Sequence, residues 1–191
     1  MPMTWGAVVR PKQNETVSGD AYLVCEQPDA RVLAAVVDGL GSGEEAARAA
    51  QAAERTIRAH ANMPLKELIQ LVHQTLYNTR GAVIGVLRLD LDKHEADFIG
   101  VGNIGVHAYS QQLIKPISKN GFLGFRLPAL LELHYSYNPG DVFVLYSDGI
   151  SSRFGQDWQI DLQQPAQHIA ESILASYGKS TDDATVLVMK T

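Results

Sequence analysis

Short apolar or alternating runs fill the first third of the chain: Trp5 to Arg10, Ala21 to Cys25 and Val32 to Val37. Turn signals at Gly19-Asp20 and Pro28-Asp29 separate them, so the pattern predicts three strands. The period then changes. Glu44 to Ala61 is Ala-rich, with Arg48, Glu54, Arg55 and Arg58 on its polar side, which predicts a helix lying close against a sheet. Leu65, Leu68, Ile69, Val72 and Leu76 recur at i, i+3, i+4, i+7 and i+11, behind a Pro64 suited to a first helical turn, and predict a second helix.

From Ala82 to Ile114 the strand pattern returns, broken by Asp90-Leu91-Asp92-Lys93 and Gly102-Asn103 as hairpin-type turns. Val142 to Tyr146, entered through Pro139-Gly140, reads as a buried strand, Pro165 to Tyr177 as a helix and Ala184 to Met189 as a closing strand. Strands in blocks and helices in blocks, with sequential hairpins, predict antiparallel sheets in an α+β sandwich and not a wound parallel sheet.

Composition narrows the classes. The 191 residues are 46% hydrophobic and show no repeat, linker or low-complexity block, so one domain spanning 1–191 is expected. Sixteen Lys and Arg against twenty-one Asp and Glu leave a net charge of -5 with no basic run, which argues against nucleic acid as a partner. The one cysteine, Cys25, forbids an intrachain disulfide and reads as a core residue of its apolar strand; a reducing, cytoplasmic setting is the simplest expectation. Met1-Pro2-Met3-Thr4-Trp5-Gly6 has no basic leader region, and no apolar run approaches the ~18 residues of a membrane span.

The chemistry concentrates on acidic positions at strand ends. Val36-Val37-Asp38-Gly39 and Tyr146-Ser147-Asp148-Gly149 each put Asp-Gly at the end of an apolar strand. Asp-Gly is a common turn dipeptide, yet the first is followed by a helix, which a tight hairpin does not explain. Gly19-Asp20 precedes a strand, and Asp182-Asp183 precedes the last one. If these ends share one edge, the carboxylates cannot all stay ionised without cations, and hard divalent metals suit such oxygen donors. The other reading is a set of solvated turn aspartates.

Gly39-Leu40-Gly41-Ser42-Gly43 joins a strand to a helix N-terminus, a place that attracts anions. It lacks the Lys-Ser/Thr of a P-loop, and Glu44 stands where a dinucleotide fingerprint needs its third glycine. With Asp38 beside it, the loop suits a metal-bridged phosphate better than a dinucleotide; a flexible connection is the plain alternative. The histidines 60, 73, 94, 107, 134 and 168 have no zinc spacing, and read as surface or packing residues. Ser42, Ser147 and Ser151 lie near the acidic positions without a nucleophile-elbow motif or an assignable base.

Taken in order, Ser18-Gly19-Asp20, Val37-Asp38-Gly39-Leu40-Gly41-Ser42-Gly43, Val101-Gly102-Asn103, Ser147-Asp148-Gly149 and Asp182-Asp183-Ala184-Thr185 resemble the metal-dependent serine/threonine phosphatases of the 2C type. The SpoIIE branch is the most similar, and within it the small stand-alone phosphatases of the stressosome. The resemblance implies a four-layer αββα sandwich of two antiparallel sheets flanked by helices, with two Mn²⁺ or Mg²⁺ ions at one edge. It implies that Asp38 bridges both ions, that the Gly39 carbonyl holds one, that Asp148 and Asp182 bind the other with Asp183 beside them, and that Asp20 acts through ordered water. Catalysis, with Asp38 and Asp148 central, would then be direct attack of an activated water on phosphorus.

The implied substrates are phosphoserine or phosphothreonine on STAS-domain stressosome proteins, acted on by a cytoplasmic monomer. The alternatives are a silent or weak phosphoprotein-binding module, or a phosphatase for a different anti-sigma-factor antagonist. Larger relatives carry Glu where this chain has Gly19, and many carry Asp where it has Asn103. Asn78-Thr79-Arg80-Gly81 lacks the acidic residue of a third metal site, so two ions are expected. Arg10 is the positional candidate for the family's phosphate-gripping arginine, and the stretch 121–128 is either a docking loop or a cap on the sheet.

Overall fold

The computed structural model describes residues 3–157 and 160–191; Met1-Pro2 of the leader reading lie outside them. One sheet contains β2 (Asp20–Gln27), β3 (Arg31–Gly39), β4 (Ala82–Asp90), β5 (Glu95–Val101) and β7 (Glu132–Ser136), in that order. The other runs β1 (Thr4–Arg10), β9 (Ala184–Lys190), β8 (Val142–Tyr146) and β6 (Gly105–Tyr109). Every pairing in both is antiparallel. Helices α1 (Gly43–Ala59) and α2 (Leu65–Thr75) cover the first sheet, and α3 (Ala166–Tyr177) covers the second.

The period-two rule sorts β3 between two layers. Leu33, Ala35 and Val37 pack under α1 and α2, while Val32, Ala34 and Val36 face the opposite sheet, where Phe143, Leu145, Leu187 and Met189 meet them. In the second sheet the other side chains of the same strands, Val142, Val144, Val186 and Val188, pack on Ile169, Ala170 and Ile173 of α3. The result is the expected αββα sandwich. The alanines of α1 explain its closeness: Ala46, Ala49, Ala50 and Ala53 are fully buried, and small side chains let the helix axis approach the sheet.

Several local expectations need correction. α1 stops at Ala59 and not Ala61, because His60, its C-cap, leaves the helical backbone region with φ −126° and ψ 25°. Pro64 occupies the N-cap of α2 and not its first turn. β7 has no counterpart in the sequence reading: Glu132–Ser136 is an edge strand of alternating exposure, too polar to signal burial. Nor does a 3-10 turn at Ser152–Gln156. Cys25 is only half-buried, on the margin of the helix-facing core with the Arg58 guanidinium nearby. The stretch 121–128 divides: Leu123 is fully buried and exchanges backbone hydrogen bonds with Ala82, whereas the stacked rings of Phe122 and Phe125 are exposed.

Candidate active site

The ladder between β2 and β3 places Asp20 directly opposite Asp38. In the facing sheet β8 and β9 are neighbours, so Asp148, just past β8, and Asp182 and Asp183, just before β9, leave the sheet at the same end. Asp38, Asp148 and Asp182 line one open cavity of about 400 Å³, together with Gly41, Asn103 and Asn120.

The two Asp-Gly pairs bring the carboxylates together by close packing. Neither Gly39 nor Gly149 has a positive φ, so a turn conformation is not what they supply. A Cβ on Gly39 would lie 2.0 Å from the Ala46 carbonyl oxygen of α1, and one on Gly149 would lie 1.9 Å from the Asp183 carbonyl oxygen. Each glycine lets backbone touch backbone, and each Asp beside it is thereby fixed at the rim. Gly102 serves differently, since its φ of 97° makes the tight turn that presents Asn103.

Asp20 is buried behind the rim. Its Oδ2 accepts a hydrogen bond from the fully buried Ser147 hydroxyl at 2.7 Å, and the Thr185 N–H donates to the same Ser147 oxygen at 2.9 Å. Its Oδ1 is buried with no hydrogen-bond partner. Burial pushes the Asp20 carboxyl up to about 6, against the Ser147 hydrogen bond that favours its charged form. Asp38 is pushed up to about 8, first by burial and then by the charges of Asp20, Asp148, Asp182 and Asp183. Asp148 is raised too, by burial and Asp182, although Lys179 and Asn103 counter this. A site that holds carboxylates against their preference for protons is a site short of positive charge.

Neighbours orient the rim. Asn103 Nδ2 donates to Asp148 Oδ2 at 2.7 Å, and Lys179 Nζ donates to the Asp148 carbonyl at 2.6 Å. Asp183 faces inward: its Oδ1 accepts from the Lys12 N–H and its Oδ2 from the Gly19 N–H, both at 2.9 Å. The space beside Gly19 is filled, since a Cβ there would meet Ala46 Cβ at 2.9 Å and Asp183 Oδ2 at 3.0 Å. Arg10 donates to the Lys179 carbonyl and is not part of the cavity lining. Ser147 and Lys179 are the site residues that sequence reasoning missed. Beside Asp148, Ser147 raises only the question of a nucleophile; nothing in the local pattern flags Lys179.

The donors are hard oxygens, and the unpartnered Asp20 Oδ1 and the raised Asp38 both fit a neighbouring cation. Among the described residues, no three His, Cys, Asp or Glu side chains converge closely enough to hold an ion by themselves. A backbone carbonyl and waters would therefore complete any shell, which suits Mg²⁺ and Mn²⁺, ions that keep several waters.

An αββα sandwich with paired strand-end aspartates defines a class, and sequence comparison agrees: the family described as Stage II sporulation protein E (SpoIIE) matches residues 28–191, and the chain belongs to it. Among curated proteins it is 26% identical over 143 residues to the phosphoserine phosphatase RsbX of Bacillus subtilis (strain 168), covering 73% of this chain and 71% of the relative. A solved structure from work on the bacterial stressosome as a modular system adapted to secondary-messenger control is 34% identical, with a TM-score of 0.90 over 99% of this chain and all of the other. RsbX in complex with magnesium superposes with a TM-score of 0.88 at 21% identity, over 98% of this chain and 94% of that one, and shares the fold. A structure of the PP2C phosphatase domain and a fragment of the regulatory domain of Bacillus subtilis SpoIIE has it as well, at a TM-score of 0.80 and 20% identity, over 100% of this chain and 64% of that one. Among the described residues no helix is long and apolar enough to cross a membrane.

Proposed function

We propose that the chain is a metal-dependent phosphoprotein phosphatase that hydrolyses phosphoserine or phosphothreonine on STAS-domain proteins of a stressosome. The observation that carries this reading is the meeting of Asp38, Asp148 and Asp182 in one open cavity with Asp38 pushed up to about 8. Kinship with a phosphoserine phosphatase and with a stressosome structure supports the substrate class.

Asp38, the Gly39 carbonyl, Asp148 and Asp182 would hold two Mn²⁺ or Mg²⁺ ions, with Asp20 behind them. Bound there, such ions acidify a water for attack on phosphorus and offset the charge of the phosphoryl oxygens. The chain's own residues do the positioning. Asn103 fixes the rotamer of Asp148, Lys179 pins the turn that carries it, and Ser147 holds Asp20 in place. Asp183 anchors the loop that runs from Lys12 to Gly19 through two backbone N–H groups, and so supports the ligand aspartates instead of filling the rim. The open cavity admits a phosphorylated side chain on a protein surface without requiring a lid.

Incubating the protein with phosphorylated STAS proteins, with and without Mn²⁺, tests the proposal. Mn²⁺-stimulated loss of phosphate is expected, and Asp38→Ala or Asp148→Ala should abolish it; undiminished turnover in both variants would overturn the assignment. A phosphoprotein-binding module without turnover is the second reading, favoured by Asn103 where a carboxylate would add a ligand. Calorimetric titration separates the two, because a silent module would bind no Mn²⁺ at millimolar concentration.

A further inference from the structure

A second cleft, of about 480 Å³, lies beside the acidic one, between the exposed face of α1 and the loop joining α2 to β4. Arg48, Arg55 and Arg80 line it, with Gln51, Asn78 and Thr79 between them. Its acidic lining residue is Glu45, which pairs with Arg48 at 3.6 Å and with Arg80 at 2.5 Å. Three guanidinium groups against one carboxylate leave a local positive excess on a chain whose net charge is -5. None of the three arginines is buried, so none is needed to balance a buried charge.

Two relationships give this excess a direction. Arg80 reaches from the cleft to the acidic cavity: its guanidinium lies against Gly41, where a Cβ would come within 2.6 Å of Nη1, and Gly41 lines that cavity. The two clefts therefore adjoin. Arg48 and Arg55 are seven residues apart on one face of α1, which separates them by about 10 Å along the helix axis. An extended peptide rises about 3.3 Å per residue and turns every second side chain to the same face, so carboxylates two or four positions apart, about 7 or about 13 Å, bracket that spacing and lie within reach of the long arginine side chains.

We propose that this arginine cleft docks an acidic segment of the phosphoprotein substrate, flanking the phosphorylated residue while the phosphate itself enters the acidic cavity. The inference rests on the phosphatase reading and adds the substrate's chemistry to it. Guanidinium groups suit such docking, since they stay charged and grip carboxylates in a two-pronged fashion. The pairing also offsets the repulsion an acidic partner would meet on approaching an acidic protein.

The test compares two phosphoserine peptides, one with Asp and Glu flanks and one with neutral flanks of equal length. Wild-type protein with Mn²⁺ should show a KM about tenfold lower for the acidic peptide, a preference that shrinks as salt is raised. Arg48→Glu with Arg55→Glu should remove the preference, and Arg48→Lys with Arg55→Lys should retain much of it. Fluorescence anisotropy of the same peptides, without metal and without turnover, reads docking even if hydrolysis is absent, so a failure of the phosphatase reading is recognised separately. Equal affinity of the wild type for both peptides, or a preference that survives the double charge reversal in a variant of unchanged thermal midpoint, would overturn the proposal. Tighter binding of a single-stranded oligonucleotide than of the acidic peptide would overturn it as well.

Discussion

The Ser147 hydroxyl donates to Asp20 across the gap between the two sheets, from the end of β8 to the start of β2. The same oxygen accepts the Thr185 N–H from β9, so one buried hydroxyl ties three strand ends at the edge where the aspartates gather. Ser147 is a strut and not a nucleophile: it is fully buried and outside the cavity lining, where no phosphate can reach its oxygen.

Removing that strut should be costly. In Ser147→Ala the Asp20 carboxylate loses its remaining hydrogen-bond partner, since its other oxygen has none, and the Thr185 N–H is orphaned. Leaving buried polar groups unsatisfied costs about 1–3 kcal/mol each, and about 2–4 °C of thermal midpoint accompanies each kcal/mol in a chain of this size. Thermal melts in chelator should therefore show a fall of several degrees. A midpoint within one degree of wild type, on the scale of about 2–4 °C per kcal/mol, would show that the strut carries no weight.

Stability should depend on pH in a direction set by Asp20 and Asp38. Their folded values, about 6 and about 8, lie above the ordinary 3.8. Between the ordinary and the folded value, the folded chain keeps a proton that the unfolded chain has released, so stability falls as pH rises. Metal-free protein should lose stability from about pH 4 upward, the Asp20 contribution ending near 6 and that of Asp38 near 8, with the raised Asp148 acting in the same direction. Asp38→Asn should flatten the upper part, making the variant more stable than wild type at pH 8 in chelator. Adding Mn²⁺ should reverse the order, because the wild type gains a ligand that the variant cannot hold well. Chemical denaturation at a series of pH values measures this, and a wild-type stability that rises between pH 6 and 8 in chelator would contradict it.

Asp183 should matter for the shape of the edge. It accepts two backbone N–H bonds, from Lys12 and Gly19, and bonds to a charged acceptor are worth about 1.5–3 kcal/mol each. Asp183→Ala should release the loop that runs from residue 12 to 19, seen as faster amide hydrogen exchange at Lys12 and Gly19. Gly149→Ala should disturb the same place from the other side, its new methyl colliding with the Asp183 carbonyl. Native-like protection at Lys12 and Gly19 in Asp183→Ala would remove the anchoring role. Gly19→Glu should lower the thermal midpoint, since Ala46 and Asp183 already fill that space.

Much of the fold is legible in the sequence, for reasons that differ by element. The strongly buried strands and α2 announce themselves because their side chains meet one consistent environment, as in the alternation of Leu33, Ala35 and Val37 against Val32, Ala34 and Val36. β7 does not, because an edge strand with alternate residues in solvent keeps a polar composition and draws its order from pairing with β5. The Asp-Gly pairs are visible as signals, but their physical cause is not. Turn propensity is a local property, whereas the need for glycine at 39 and 149 comes from Ala46 and Asp183, other parts of the backbone packed against them.

The sequence by itself determined most strands and helices, their antiparallel pairing in an α+β sandwich and the small set of acidic strand ends, since hydrophobic period and turn chemistry act over a few residues; the four layers followed only from the family resemblance. Only the tertiary structure decided which of those acids share a cavity, which one turns inward to hold backbone, and that Ser147 and Lys179 support them. It also decided that arginines from α1 and from the loop before β4, 25 positions apart at Arg55 and Arg80, line one cleft beside the acids. Those outcomes depend on how two sheets and a helix stack, and stacking sums contacts between residues that no local pattern places side by side.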